Sequence, residues 1–68
     1  MKTITIRDEF IKLGQALKLA GLVNEGVEAK IAIQNGEVLL NDEVCTMRGK
    51  KCVSGDKVSY KGETFTIA

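Results

Sequence analysis

The segment Thr3-Ile4-Thr5-Ile6 alternates polar and apolar positions with β-branched side chains, which predicts a short strand. Arg7-Asp8 interrupts the alternation, and Asp8 stands where a carboxylate would accept hydrogen bonds from the free amides of a following helix. Over residues 9–20, Phe10, Leu13, Leu17 and Ala20 recur at three- and four-residue steps and predict one buried helical stripe. Gly21 suits the left-handed residue that ends many helices. Gly14 costs about 1 kcal/mol relative to alanine inside a helix, so it points to close packing or to close approach of a ligand.

A second helix is predicted over about residues 25–34, capped by Asn24 and stopped at Asn35-Gly36. Its apolar residues fall on two faces. Ala29 and Ile33 form one i, i+4 pair, and Val27 and Ile31 form another about 160° around the wheel. One pair meets the first helix. For Val27 and Ile31 the ordinary outcome is burial against the N-terminal strand; left exposed, they would offer a docking face. Beyond Gly36 the helical period gives way to short strands. Val38 and Leu40 alternate toward a core, Asn41-Asp42 reads as a two-residue turn, and residues 43–46 return. Met47-Arg48-Gly49-Lys50-Lys51 forms a basic loop and Ser54-Gly55-Asp56 a second turn. Residues 57–60 and 63–67 alternate around Lys61-Gly62 as a closing hairpin that buries Val58, Tyr60, Phe65 and Ile67. The expectation is one α+β domain over residues 1–68: a strand, two packed helices, then four short strands in a small, mostly antiparallel sheet.

Composition narrows the function. A chain of 68 residues suits one domain, and 44% hydrophobic with 28% charged residues is ordinary for a soluble globular one. No apolar run approaches the roughly 18 residues of a spanning helix, and the start lacks a signal-peptide stretch, so no membrane partner and a cytoplasmic location are expected. Histidine is absent, which removes the usual near-neutral general base and the commonest metal ligand. Two cysteines are too few for a disulfide framework or an all-protein zinc site. No nucleophile with an activating partner is visible. The chain reads as a non-catalytic binding module with no metal and no cofactor. Cys45 and Cys52 flank the basic loop, and two reduced apolar side chains are favoured there over a redox switch.

Ten Lys and Arg against nine Asp and Glu leave a net charge of +1, so an anionic partner must be held by local clustering. Lys12, Gln15 and Lys18 are expected on the solvent side of the first helix and Lys30 on the second, with Arg48, Lys50 and Lys51 in the loop around Gly49. Glu37, Asp42, Glu43, Asp56 and Glu63 concentrate in the turns and strands of the second half. A loop of three cations around a glycine, free of acids, suits convergence on phosphates. Arginine binds a phosphate bidentately, whereas the lysines act as mobile point charges.

The run Phe10-Ile11-Lys12-Leu13-Gly14-Gln15-Ala16-Leu17-Lys18-Leu19-Ala20-Gly21-Leu22 resembles the first helix of the S-four RNA-binding domain family. Glu28-Ala29-Lys30, Ile33, Gly36, Val38, Asn41, Arg48-Gly49-Lys50-Lys51 and Gly55-Asp56 follow in the family's order. The likeness spans about residues 4–67 and is nearest to small stand-alone bacterial members of the YbcJ/YaaA type. It implies the alpha-L fold, with two helices and a basic loop gripping structured RNA. The contacts it implies are Lys12, Lys18, Lys30, Arg48, Lys50 and Lys51, with Gly49 allowing close approach to the backbone, and Gln15 joins this candidate RNA-binding set by its position between Lys12 and Lys18. Ribosomal RNA or an assembling subunit is the first partner class it suggests, and transfer RNA the second. Phe10, Tyr60 and Phe65 all stand at expected core positions, so phosphate and 2′-hydroxyl contacts read by shape are expected in place of stacked single-stranded bases. The rival reading is a protein adaptor, or a weak homodimer or ribosomal-protein contact, through Val27 and Ile31.

Overall fold

The structure, a computed structural model, describes residues 2–68. The chain runs β1 (Lys2–Ile4), β2 (Ile11–Lys12), α1 (Leu13–Leu19), α2 (Gly26–Gln34), β3 (Val38–Leu40), β4 (Glu43–Val44), β5 (Lys51–Cys52), β6 (Lys57–Tyr60) and β7 (Glu63–Ile67). Five strands form one sheet in the order β1-β7-β6-β3-β4, antiparallel except that β1 lies parallel on β7 with Ile4 opposite Ile67. Strands β2 and β5 form a separate antiparallel pair. This is the expected α+β arrangement of two helices with a small sheet.

The C-terminal half follows its local pattern. Asn41 (φ 52) and Asp42 (φ 70) are both left-handed, as are Lys61 (φ 50) and Gly62 (φ 78). Two consecutive left-handed residues make the two-residue hairpin turn whose twist matches that of its strands. The period of two then sends Val38, Val58, Tyr60, Phe65 and Ile67 inward, where they join Leu13, Ala16, Leu17, Ala29, Ala32 and Ile33 from the helices. Asn41 also ties its turn to the next one. Its side-chain amide donates to Asp56 Oδ1 at 3.1 Å and its Oδ1 accepts from the Lys57 amide at 2.9 Å.

The N-terminal half departs from the expected boundaries. α1 begins at Leu13, four residues later than the apolar spacing predicts, and spans only seven residues. Lys12 holds the cap position in place of Asp8, which lies exposed in the preceding bend. Phe10 is therefore not on the helical stripe. It is half-buried and absent from the core and from the side chains packed against it. In α2 the cap position falls to Glu25, and neither Glu25 nor Asn24 caps with its side chain; the Asn24 amide instead donates to Glu28 Oε1 at 3.0 Å. Val27 and Ile31 are not covered by β1 but stand 60% and 55% exposed. The returning strand after the first turn is two residues long, not four, and a further strand, β5, forms where a loop was expected.

Candidate nucleic-acid interface

The basic loop is anchored to the start of α1 by the backbone. A helix leaves its first amides without intrahelical partners. In α1 two of them donate across the molecule, Leu13 to the Lys50 carbonyl at 2.9 Å and Gly14 to the Arg48 carbonyl at 3.3 Å. Ile11 and Lys12 pair with Cys52 and Lys51 in the two-stranded ladder just before it. These contacts do the work of a side-chain cap, which is why the polar Asp8 is not needed there. Carbonyls supplied by one loop to one helix start also hold the loop's side chains beside that helix.

The cations follow from this docking. Directly opposed residues of an antiparallel pair project to the same face, so Lys12 and Lys51 stand side by side, an arrangement that is unfavourable unless an anion joins them. Gly14 gives room for Arg48. A Cβ at Gly14 would lie 3.2 Å from the Arg48 Cγ and 3.8 Å from the Ala29 Cβ, so the arginine stem crosses α1 where it packs on α2. Lys30 follows Ala29 on α2 and is half-buried. Gln15 and Lys18 share the outer face of α1 at i, i+3 spacing, both exposed. Lys50 and Gly49 are exposed, with open space around Gly49.

Six of the eight residues singled out from sequence, namely Lys12, Gln15, Arg48, Gly49, Lys50 and Lys51, thus gather around the start of α1. Lys18 lies toward the far end of that helix, about 9 Å along its axis from Lys12 at 1.5 Å per residue. Lys30 adjoins Ala29, which faces Gly14 where the Arg48 stem crosses α1. Lys12 is not a helix-face residue as expected, but a strand and cap residue.

Asp42 and Asp56 are engaged at the hairpin turns, whereas Asp8 and Glu9 are exposed just before Phe10. The one ion pair among the described residues joins Lys57 to Asp42 at 3.1 Å, at the hairpin turns. Asp56 accepts from the Val53 amide at 2.8 Å and from Asn41. Cys52 is buried in β5, and burial first, then Asp56 and Cys45, push its thiol up to about 11 against the opposing pull of Lys50. Cys45 is half-buried, and both thiols are free. Among the described residues no group of His, Cys, Asp and Glu could hold a metal ion, and no helix is long and apolar enough to cross a membrane.

The sequence pattern did not disclose Phe10. Its ring sits under the Lys51 ammonium, 4.8 Å from the centroid, at the edge of the cationic cluster. A signal was present. Phe10 and Lys12 outward with Ile11 and Leu13 inward is a period of two, and it competes with the helical period over the same residues. Leu19, Val44 and Met47 are also exposed, and Val44 lies beside Gly36 at the end of α2.

The chain is similar to known proteins in sequence and in fold. A chain from Bacillus subtilis (strain 168) named "Probable ribosome maturation protein RlbA" is 46% identical over 59 residues, covering 87% of this chain and 83% of that protein. From Escherichia coli (strain K12), "Putative RNA-binding protein YbcJ" is 37% identical over 57 residues, covering 84% and 81%. The solution structure of YbcJ from E. coli, described as revealing an αL motif involved in RNA-binding, superposes with a TM-score of 0.78 at 33% identity, over 100% of this chain and 87% of that one. The S4 domain model matches residues 4–68, nearly the whole sequence. With the family model spanning nearly the whole sequence and the YbcJ structure superposing over all of it, the chain belongs to the S4 domain family.

Proposed function

We propose that this chain is a non-catalytic module that grips structured RNA, ribosomal RNA or a ribosome-assembly intermediate first, through phosphate and 2′-hydroxyl contacts. The gripping residues are Lys12, Gln15, Lys18 and Lys30 on or beside the helices and Arg48, Gly49, Lys50 and Lys51 in the loop. The observation that carries the reading is the docking of the loop carbonyls on the Leu13 and Gly14 amides, beside which Lys12 and Lys51 stand opposed with no carboxylate joined to them. A planar arginine and several lysines on one short stretch of surface suit the closely spaced charges of a folded RNA backbone. The names of the Bacillus and Escherichia relatives support the same partner class.

The exposure of Val27 and Ile31 favours a second reading, a protein-docking face on α2 used beside or instead of RNA. Charge reversal separates the two. Lys50→Glu with Lys51→Glu is expected to abolish binding to a structured ribosomal RNA fragment in a filter or anisotropy assay, while Val27→Asp leaves it within twofold. The opposite pattern, RNA binding kept by the double reversal, would remove the basis of the first reading.

A further inference from the structure

We propose that the groove between segment 5–11 and α1 receives one unpaired nucleobase of the RNA, stacked on the Phe10 ring. The inference rests on the RNA-binding reading and adds the kind of RNA: a helix interrupted by a bulged or flipped-out nucleotide. The groove is shallow, encloses about 740 Å³, and is walled by Arg7, Asp8, Phe10, Gln15, Lys18 and Leu19 among others. That size falls in the range of about 300–1,000 Å³ usual for small-ligand sites.

Phe10 has no part in the core, is half-buried, and carries the Lys51 ammonium over its ring at 4.8 Å from the centroid. Phe10 lines the groove and Lys51 does not. An aromatic ring oriented by a cation and left open beside it is a stacking platform, and it is sequence-tolerant because every base has a π-face. The rest of the wall matches a nucleotide. Gln15 offers both a donor and an acceptor to a base edge, and Asp8, the one carboxylate there, accepts from an exocyclic amino group or a 2′-hydroxyl. Arg7 and Lys18 can hold the flanking phosphates, and exposed Leu19 supplies apolar contact. Gln15 and Lys18 belong both to this wall and to the proposed phosphate-gripping face, so one RNA could fill both without reorientation.

Two fluorescein-labelled RNA hairpins, identical except for one bulged adenosine, test the inference by anisotropy titration at fixed salt. The unaltered protein is expected to bind the bulged hairpin about 5- to 150-fold more tightly, the factor equivalent to about 1–3 kcal/mol of base–aromatic stacking. Phe10→Ala is expected to erase that preference while keeping its affinity for the paired hairpin. Phe10→Leu, which keeps an apolar side chain at the position should the alanine variant fold poorly, is expected to lose most of it. Equal affinity of the unaltered protein for both hairpins would overturn the inference, as would a preference retained in full by Phe10→Leu, or equal weakening of both hairpins by both variants. In each of those cases RNA binding itself stands. Binding to neither hairpin would overturn the inference together with the reading beneath it.

Discussion

Cys52 carries a pH dependence that its environment sets. Its ordinary value is 9.0 and burial, with Asp56 and Cys45 nearby, raises it to about 11. The folded chain therefore keeps a proton that the unfolded chain has released. The stabilisation is fully present below pH 9 and is lost as pH rises through 11, by roughly 1.4 kcal/mol per pH unit at most. Urea midpoints are expected to fall more steeply between pH 9 and 11 in the unaltered protein than in Cys52→Ala; parallel curves would contradict this. The same neutral, buried thiol is a poor nucleophile at neutral pH, which weighs against a Cys45–Cys52 switch around the loop. At this scale the sequence was a good guide to Gly21 and Gly36, both left-handed at helix ends with φ 79 and 75. Of the two options left open for Gly14, close packing was met, by an arginine from the other half of the chain.

Among the elements, the hairpins were legible and the first helix only in part. A hairpin is specified by neighbouring residues: turn chemistry between two runs of period two. The Asn41-Asp42 turn shows how much such chemistry contributes. Asn41→Ala would put a Cβ-bearing residue without a local hydrogen bond at φ 52 and leave Asp56 and the Lys57 amide each short of a partner. A loss of about 1–3 kcal/mol by urea unfolding is expected; a change under about 0.5 kcal/mol, the usual range for surface positions, would show that the tie between the turns is dispensable. For residues 9–12 the helical and strand periods both fit. What decides is the ladder between β2 and β5 and the bonds from Leu13 and Gly14 to the loop. These pairings join opposite halves of the chain, and no local pattern reports them.

Over the whole molecule, extents of 27 × 19 × 18 Å leave little distance for charge to spread, yet the net charge is only +1. Affinity for a polyanion must come from the gathered cations and not from a global field. With about five phosphates neutralised, the slope of log affinity against log salt is expected near −3.5 to −4.5. Titration of a structured RNA at several salt concentrations reads it directly, and a flat response would mean that phosphates are not what the cluster holds. Val27 and Ile31 belong to this scale as well, because general burial tendency placed them inside while the packing of α2 on α1 uses Ala29, Ala32 and Ile33 and leaves them in solvent.

By itself the amino-acid order determined the α+β class, both hairpin turns, the inward residues of the closing strands and the family, since each depends on residues close in sequence or on their order along it. It also named the cations of the candidate face. Tertiary structure alone decided where α1 starts, that Phe10 leaves the core for the edge of the cationic cluster, and that segment 48–51 sits against Lys12 and Gly14. The reason is that a helix start has free amides and a loop has free carbonyls whatever the local sequence. Only the folded chain determines which of them meet.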